Sequence, residues 1–217
     1  MKKIYQLIIA CLMLCALVAC GNQEESYRDA VKNNDFETAH KVLDEIYDDF
    51  LDTWESNYGS LEYDELFHRH ESKRGKIVSA ASRYSQAASY VLCAEARYLI
   101  ANDVEGAYDR IAYLFNEIRI MGEKSDDYAP HGNTEYQKEC AKVDCYKQTV
   151  KYNNELCDVV LNLAIQHHNK KLAQLALMYY RENGREGSGY GSMVWRDDDK
   201  EAAQKKYDEA VASGAFE

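Results

Sequence analysis

Two Glu-x-x-His runs, Glu37–His40 and Glu65–His68, are the residues of this 217-residue chain best spaced for metal chemistry. On a helix that spacing puts both side chains on one face, and carboxylate-bridged di-iron bundles use two such pairs. Those bundles also need a single Glu from each of two further helices. No segment before Glu37 is long enough to offer one, and Glu37 already suits a helix cap. His68-Arg69-His70 would share a face if extended, but its surroundings read as helix, where residues two apart diverge. These histidines are read as surface groups. His167 and His168 precede a helix start, where an imidazole can meet the last carbonyls of the preceding helix.

The carboxylates cluster at Asp48, Asp49 and Asp52, at Asp126 and Asp127, and at Asp197 to Asp199. Glycoside hydrolysis needs two carboxylates at a fixed separation across a cleft, whereas these fall on polar faces and at caps. No Gly-x-Ser-x-Gly, His-Glu-x-x-His or Ser-x-x-Lys run occurs, and no catalytic Cys/His pattern. Gly184 to Ser192 is glycine-rich, but no strand is expected before it and no Gly-Lys-Ser/Thr follows, so it is not a phosphate loop. It reads as a chain reversal. The alternative is a mobile binding loop with Tyr190 and Trp195 as partner contacts. No catalytic residue, metal ligand or cofactor is assigned, and the chain reads more as a binder than as an enzyme.

The first twenty residues are more specific. Lys2 and Lys3 precede an uncharged run, Ile4 to Val18, that is shorter than the ~20 residues of a membrane-spanning helix. A positive head, a short apolar core and a small-residue ending describe a cleaved export signal. The ending, Leu17-Val18-Ala19-Cys20, resembles the lipobox of bacterial lipoproteins. That resemblance implies cleavage before Cys20, a diacylglyceryl group on its sulfur and attachment to membrane lipid. Two acyl chains hold a protein stably where one holds it marginally. Gly21 in the next position fits outer-membrane sorting, and Glu24 and Glu25 faintly resemble surface-export tags. The expected division is a signal peptide over 1–19, a lipidated tether over 20–25 and one domain over 26–217.

Cys11 and Cys15 leave with the signal, so Cys93, Cys140, Cys145 and Cys157 remain. Cys140, Cys145 and Cys157 fall on one expected helix, and residues five apart there are too distant for a bridge. Cys93 either pairs with one of the three across a helix contact or is simply buried like them. Loss of Lys2 and Lys3 moves the net charge from −11 to −13. That acidity excludes nucleic acid as a partner, because phosphates repel it. It also leaves attachment to the acyl chains rather than to anionic headgroups.

One proline, Pro130, stands in the whole chain, which favours helices over turn-rich β structure. Apolar residues step by three and four over Ala39–Trp54, Val78–Leu92, Val104–Ile118, Val143–Ala164 and Ala203–Val211. Asn34 and Asn102 are expected caps with Glu37 and Glu105 three residues on, and Thr134 and Asp198 repeat the device. The runs NDFETA (34–39), NDVEGA (102–107) and HNKKLA (168–173) recur at spacings of 68 and 66. Each ends in an alanine four residues before a large apolar residue. Ala39, Ala107 and Ala173 are therefore expected to share one close helix contact.

These runs resemble the turn and second helix of tetratricopeptide repeats. Tyr27, Glu95 and Leu161 stand where that family has a small residue, its terminal proline is missing and the spacing is doubled. The implied fold is all-α, built of stacked antiparallel helical hairpins with about seven or eight helices. The implied function is a non-catalytic, membrane-anchored domain that binds a protein or peptide. The alternative is a cell-envelope enzyme or a binder of a small ligand such as a glycan or peptide.

Overall fold

A computed structural model describes residues 22–61, 72–123, 134–188 and 192–217. Among them are α1 over 22–32, α2 (Phe36–Tyr58), α3 (Lys73–Ala101), α4 (Ala107–Asn116), α5 (Thr134–Gln166), α6 (Lys170–Tyr179) and α7 (Asp198–Ala212). The class is all-α. The glycine-rich segment adds one small departure: Gly184–Ser188 (β1) pairs antiparallel with Ser192–Arg196 (β2). It reverses the chain as expected, but as a strand ladder that satisfies backbone groups rather than as an open loop.

The helices pack in the order α2, α3, α5, α6, with α4 against α3 and α6 and α7 against α5 and α6. The apolar stripes explain this. Ala39, Val42, Leu43, Ile46 and Phe50 are the buried face of α2. α5 is buried on several sides, including Thr149, Asn153 and Asn154, because it lies between neighbours. Arg74 reaches Asp144 and Ser89 reaches Glu155, so α3 and α5 run side by side in the same direction. α1 joins them in parallel: Tyr27 meets Tyr90 at 5.7 Å, and Val31 and Asn34 farther on share a groove with Tyr98 and Ala101. The first helices of the three hairpins thus form one layer.

The turns joining α1–α2 and α5–α6 are alike. Asn34 and His168 are left-handed, at φ 57° and 56°. Asp35 N donates to Ala30 O at 2.9 Å, and Asn169 N to Ala164 O at 2.7 Å, the six-to-one bond of a Schellman motif. Asp35 and Asn169 then cap the next helix, accepting from Thr38 N and Leu172 N, each at 3.1 Å. The expected cap Asn34 is therefore the end of α1, and the cap is one residue later. Glu37 pairs with Lys41 instead of closing a box. In the α3–α4 turn Asn102 ends α3 and Asp103 is the left-handed residue, while α4 starts only after Gly106 at φ +76°. Asp198 lies inside α7, behind Asp197. Thr134 opens α5, and the position before it lies outside the described residues.

Ala39 and Ala173 are fully buried, but Ala107 is only half-buried, so the three do not share one environment. Of the expected tether, residues 22–25 are already helical. Cys93, Cys145 and Cys157 are buried and Cys140 half-buried, all as free thiols, so the pairing of Cys93 is not formed. Burial pushes the Cys93 thiol up to about 11 and Cys145 to about 12. No helix among the described residues is long and apolar enough to cross a membrane.

Candidate functional site

The middle hairpin carries charge where the outer two carry core. By the repeat spacing, Glu95 takes the place of Tyr27 and Leu161, and Arg110 the place of Val42 and Ala176. Those four are all buried. Glu95 is buried as well, at 3 % exposure, so its carboxylate needs partners to offset lost hydration. Arg110 Nε donates to Oε1 at 2.6 Å, and His40 Nε2 donates to Oε2 at 2.6 Å. Burial pushes the Glu95 carboxyl up, but the bonds from His40 and Arg110 outweigh it and hold the group below its ordinary value. With Nε2 committed, Nδ1 is the histidine nitrogen left for another partner. The triad ties α2, α3 and α4 together.

A cleft of about 460 Å³ opens over it, bounded by α2, α3, α4 and the segment after α4. Tyr84 and Leu92 are its α3 wall. Burial pushes the Tyr84 hydroxyl up to about 12, and its ring meets Tyr152 edge-on at 5.8 Å. Tyr113 on α4 is 48 % exposed, with the Arg110 guanidinium 5.1 Å from its ring centre.

Arg119 lines the opposite side, 4.3 Å from the Tyr47 ring centre and donating to Asp44 at 2.7 Å. Its backbone is clamped to α5. Tyr152 Oη donates to Arg119 O at 2.9 Å, and Met121 N donates to Thr149 Oγ1 at 3.1 Å. Gly122, at φ +78°, seats this segment: a Cβ there would stand 2.0 Å from Lys142 O.

The cleft offers guanidinium donors, an imidazole nitrogen, two tyrosine rings and carboxylates at its rim. Its lining includes no serine, threonine or cysteine. Its guanidinium groups and tyrosine rings suit hydrogen-bonded recognition. Among the described residues no three His, Cys, Asp or Glu side chains gather around a common metal position. Glu37 and His40 both line the cleft, but Glu37 turns to Lys41 and His40 to Glu95.

Other residues singled out from sequence lie elsewhere. Cys20, Glu65, His68, His70 and Tyr190 are outside the described residues. Trp195 sits on β2, half-buried and edge-on to Tyr146 at 5.1 Å, so it packs on α5 and does not line the cleft. His168 Nδ1 donates to Ala215 O at 2.5 Å, holding the C-terminal turn. Sequence reasoning did not assign Glu95, Arg110 or Arg119 to a site. Glu95 did leave a signal, a charge at core spacing between Leu92 and Leu99. No protein-family model matches the chain, and neither a curated protein nor a solved structure matches it.

Proposed function

We propose that this chain is a cell-envelope lipoprotein, anchored in the outer membrane through acylated Cys20, whose helical domain binds a segment of a protein or peptide without catalysis. The cleft between α2, α3 and α4 supports the binding half of this reading. It pairs an exposed aromatic, Tyr113, with fixed donors on Arg110 and Arg119, the residue types that dominate recognition surfaces. The anchoring half rests on Leu17-Val18-Ala19-Cys20.

Two experiments test it. Cys20→Ser should move the chain from membranes to the soluble fraction and abolish labelling by fatty-acid analogues. A crosslinked partner recovered through a photoreactive residue at position 113 should be lost with Arg119→Ala. Sedimentation of the Cys20 variant with membranes rejects the anchor. A partner profile indifferent to Arg119 rejects the cleft.

The buried Glu95 favours a second reading, in which the same cleft takes a small ligand that accepts hydrogen bonds from the outer Arg110 nitrogens and donates one to His40 Nδ1. Thermal stabilisation by a short peptide or a glycan alone, lost in Arg119→Ala, would favour it over a protein partner.

A further inference from the structure

The proposed anchor enters the fold partway along its side. α1 is helical from residue 22, two residues after Cys20, so the backbone of the acylated residue lies within about 7 Å of chain from the first helical residue. That start is fixed against the middle of the longer helices. Gln23 Nε2 donates to Asp49 at 3.3 Å, and Arg83 donates to the same carboxylate at 2.6 Å. From Asp49, α2 runs on to Tyr58, about 13 Å farther at 1.5 Å per residue. α3 starts at Lys73, about 15 Å before Arg83. The two ends stay together, since Lys73 Nζ donates to Ser60 O at 2.8 Å. This end therefore projects well past the attachment point.

The projecting end is charged. It bears Asp52, Glu55, Lys73, Arg74 and Lys76, with Asp144 of α5 beside Arg74. Standing upright on its anchor, the domain would push this end into the hydrocarbon, which such charges oppose. Lipid that reaches the anchor from the flank that α1 occupies avoids this cost.

On the lipoprotein reading above, we propose that the domain lies on its side, with the α1–α3–α5 layer against the lipid headgroups and the Glu95 cleft on the other side. The flank along α1 carries Arg28, Lys32, Arg83 and Lys151 against Glu24, Glu25, Asp29, Asp49 and Glu155. That balance, in a chain of net charge −11, fits zwitterionic headgroups. Two grooves there, of about 840 and 500 Å³, share Ser89, Tyr90 and Glu155 and follow one face of α3. They give headgroups a surface to enter.

Nitroxide depth measurements on the full chain test this, in vesicles of phosphatidylethanolamine with phosphatidylglycerol. The chain is produced in cells that acylate it, and Cys140 is replaced by Ser. Labels go at Gln86→Cys and Lys151→Cys on the proposed flank, at Met178→Cys on α6, and at Lys76→Cys on the projecting end. The buried native thiols resist labelling. The Gln86 and Lys151 labels should sit near the phosphates, with Met178 roughly 20 Å farther out, two helix layers of about 10 Å each. A flank no closer than Met178, or a Lys76 label deepest of the four, overturns the orientation while leaving the anchor intact. A mass without acyl groups overturns the anchor and the orientation together, and is read before any label is.

Discussion

The turns at 33–35 and 167–169 and the turn at 102–106 answer to nearly the same sequence run, yet they fold differently. In the outer two, one left-handed residue is followed by an Asp or Asn that caps the next helix. In the middle one, the aspartate aligned with those caps is itself left-handed, and Val104 follows it. Valine has no side-chain acceptor, and it packs on the core. Helix α4 waits for Gly106, whose positive φ Thr38 and Leu172 could not adopt without strain at that place in the other hairpins. The result is an α4 that adds the Arg110–Glu95 ion pair to its buried apolar face of Ile111, Leu114 and Phe115. The cleft lies where the repeat is broken. A repeat supplies a scaffold, and its exception supplies the site.

That contrast can be broken at the charge first. Glu95→Gln should cost about 3 kcal/mol, because a guanidinium and an imidazole lose the buried carboxylate between them. Chemical denaturation measures it, and a loss under ~1 kcal/mol would mean the triad is not coupled to folding. The pH dependence has a definite sign. The Glu95 carboxyl is held below its unfolded value, near 4.3. Its contribution is therefore complete above that range and lost as pH falls through the folded value. Melts from neutral to acid pH should show a loss in wild type that Glu95→Gln lacks.

The alanines sharpen the comparison next. Ala39→Leu and Ala173→Leu should each cost ~1–3 kcal/mol by overpacking. Ala107→Leu, at a half-buried site, should stay within ~0.5 kcal/mol, as should Ala202→Leu on the exposed side of α7. Equal melting-temperature losses at all three repeat alanines would restore the threefold equivalence that the structure denies.

The caps come after that. Asp35→Ala and Asn169→Ala should each lose about 1 kcal/mol, whereas Asp103→Ala removes no helix N-cap and acts only through its left-handed backbone. The smallest effect is expected from Glu95→Leu combined with Arg110→Met. Apolar replacement of a buried charge together with its partner is often neutral, and His40, left behind, keeps 28 % side-chain exposure to water. The melting temperature should therefore lie close to wild type while recognition at the cleft is lost. A double variant as unstable as Glu95→Gln would show that the charges specify the packing of α4.

Much of this was legible along the chain. The stripes of α2, α3 and α5 show as a three-and-four spacing because a helix reports its buried face locally. The first turn was located to within a residue, but its cap was not, since a left-handed Asn and a capping Asn satisfy the same pattern. In the middle turn the cap position, Gly106, falls four residues past the expected Asn102. Tyr108 looked like part of the α4 stripe and is exposed, because the slide of the turn rotates the start of that helix. Glu95 was visible as a charge in a core position, without a hint of its partners. Nothing in the order of the residues says that Trp195 meets Tyr146 of α5, about fifty residues before it.

By itself the sequence determined the helical class, the three hairpin junctions and the net acidity. Those depend on spacing, composition and short-range bonds. Tertiary structure alone decided that Glu95 meets a histidine 55 residues before it and an arginine 15 after it. A buried carboxylate must find its cations wherever the packing brings them, and that requirement carries no mark in the order of the residues.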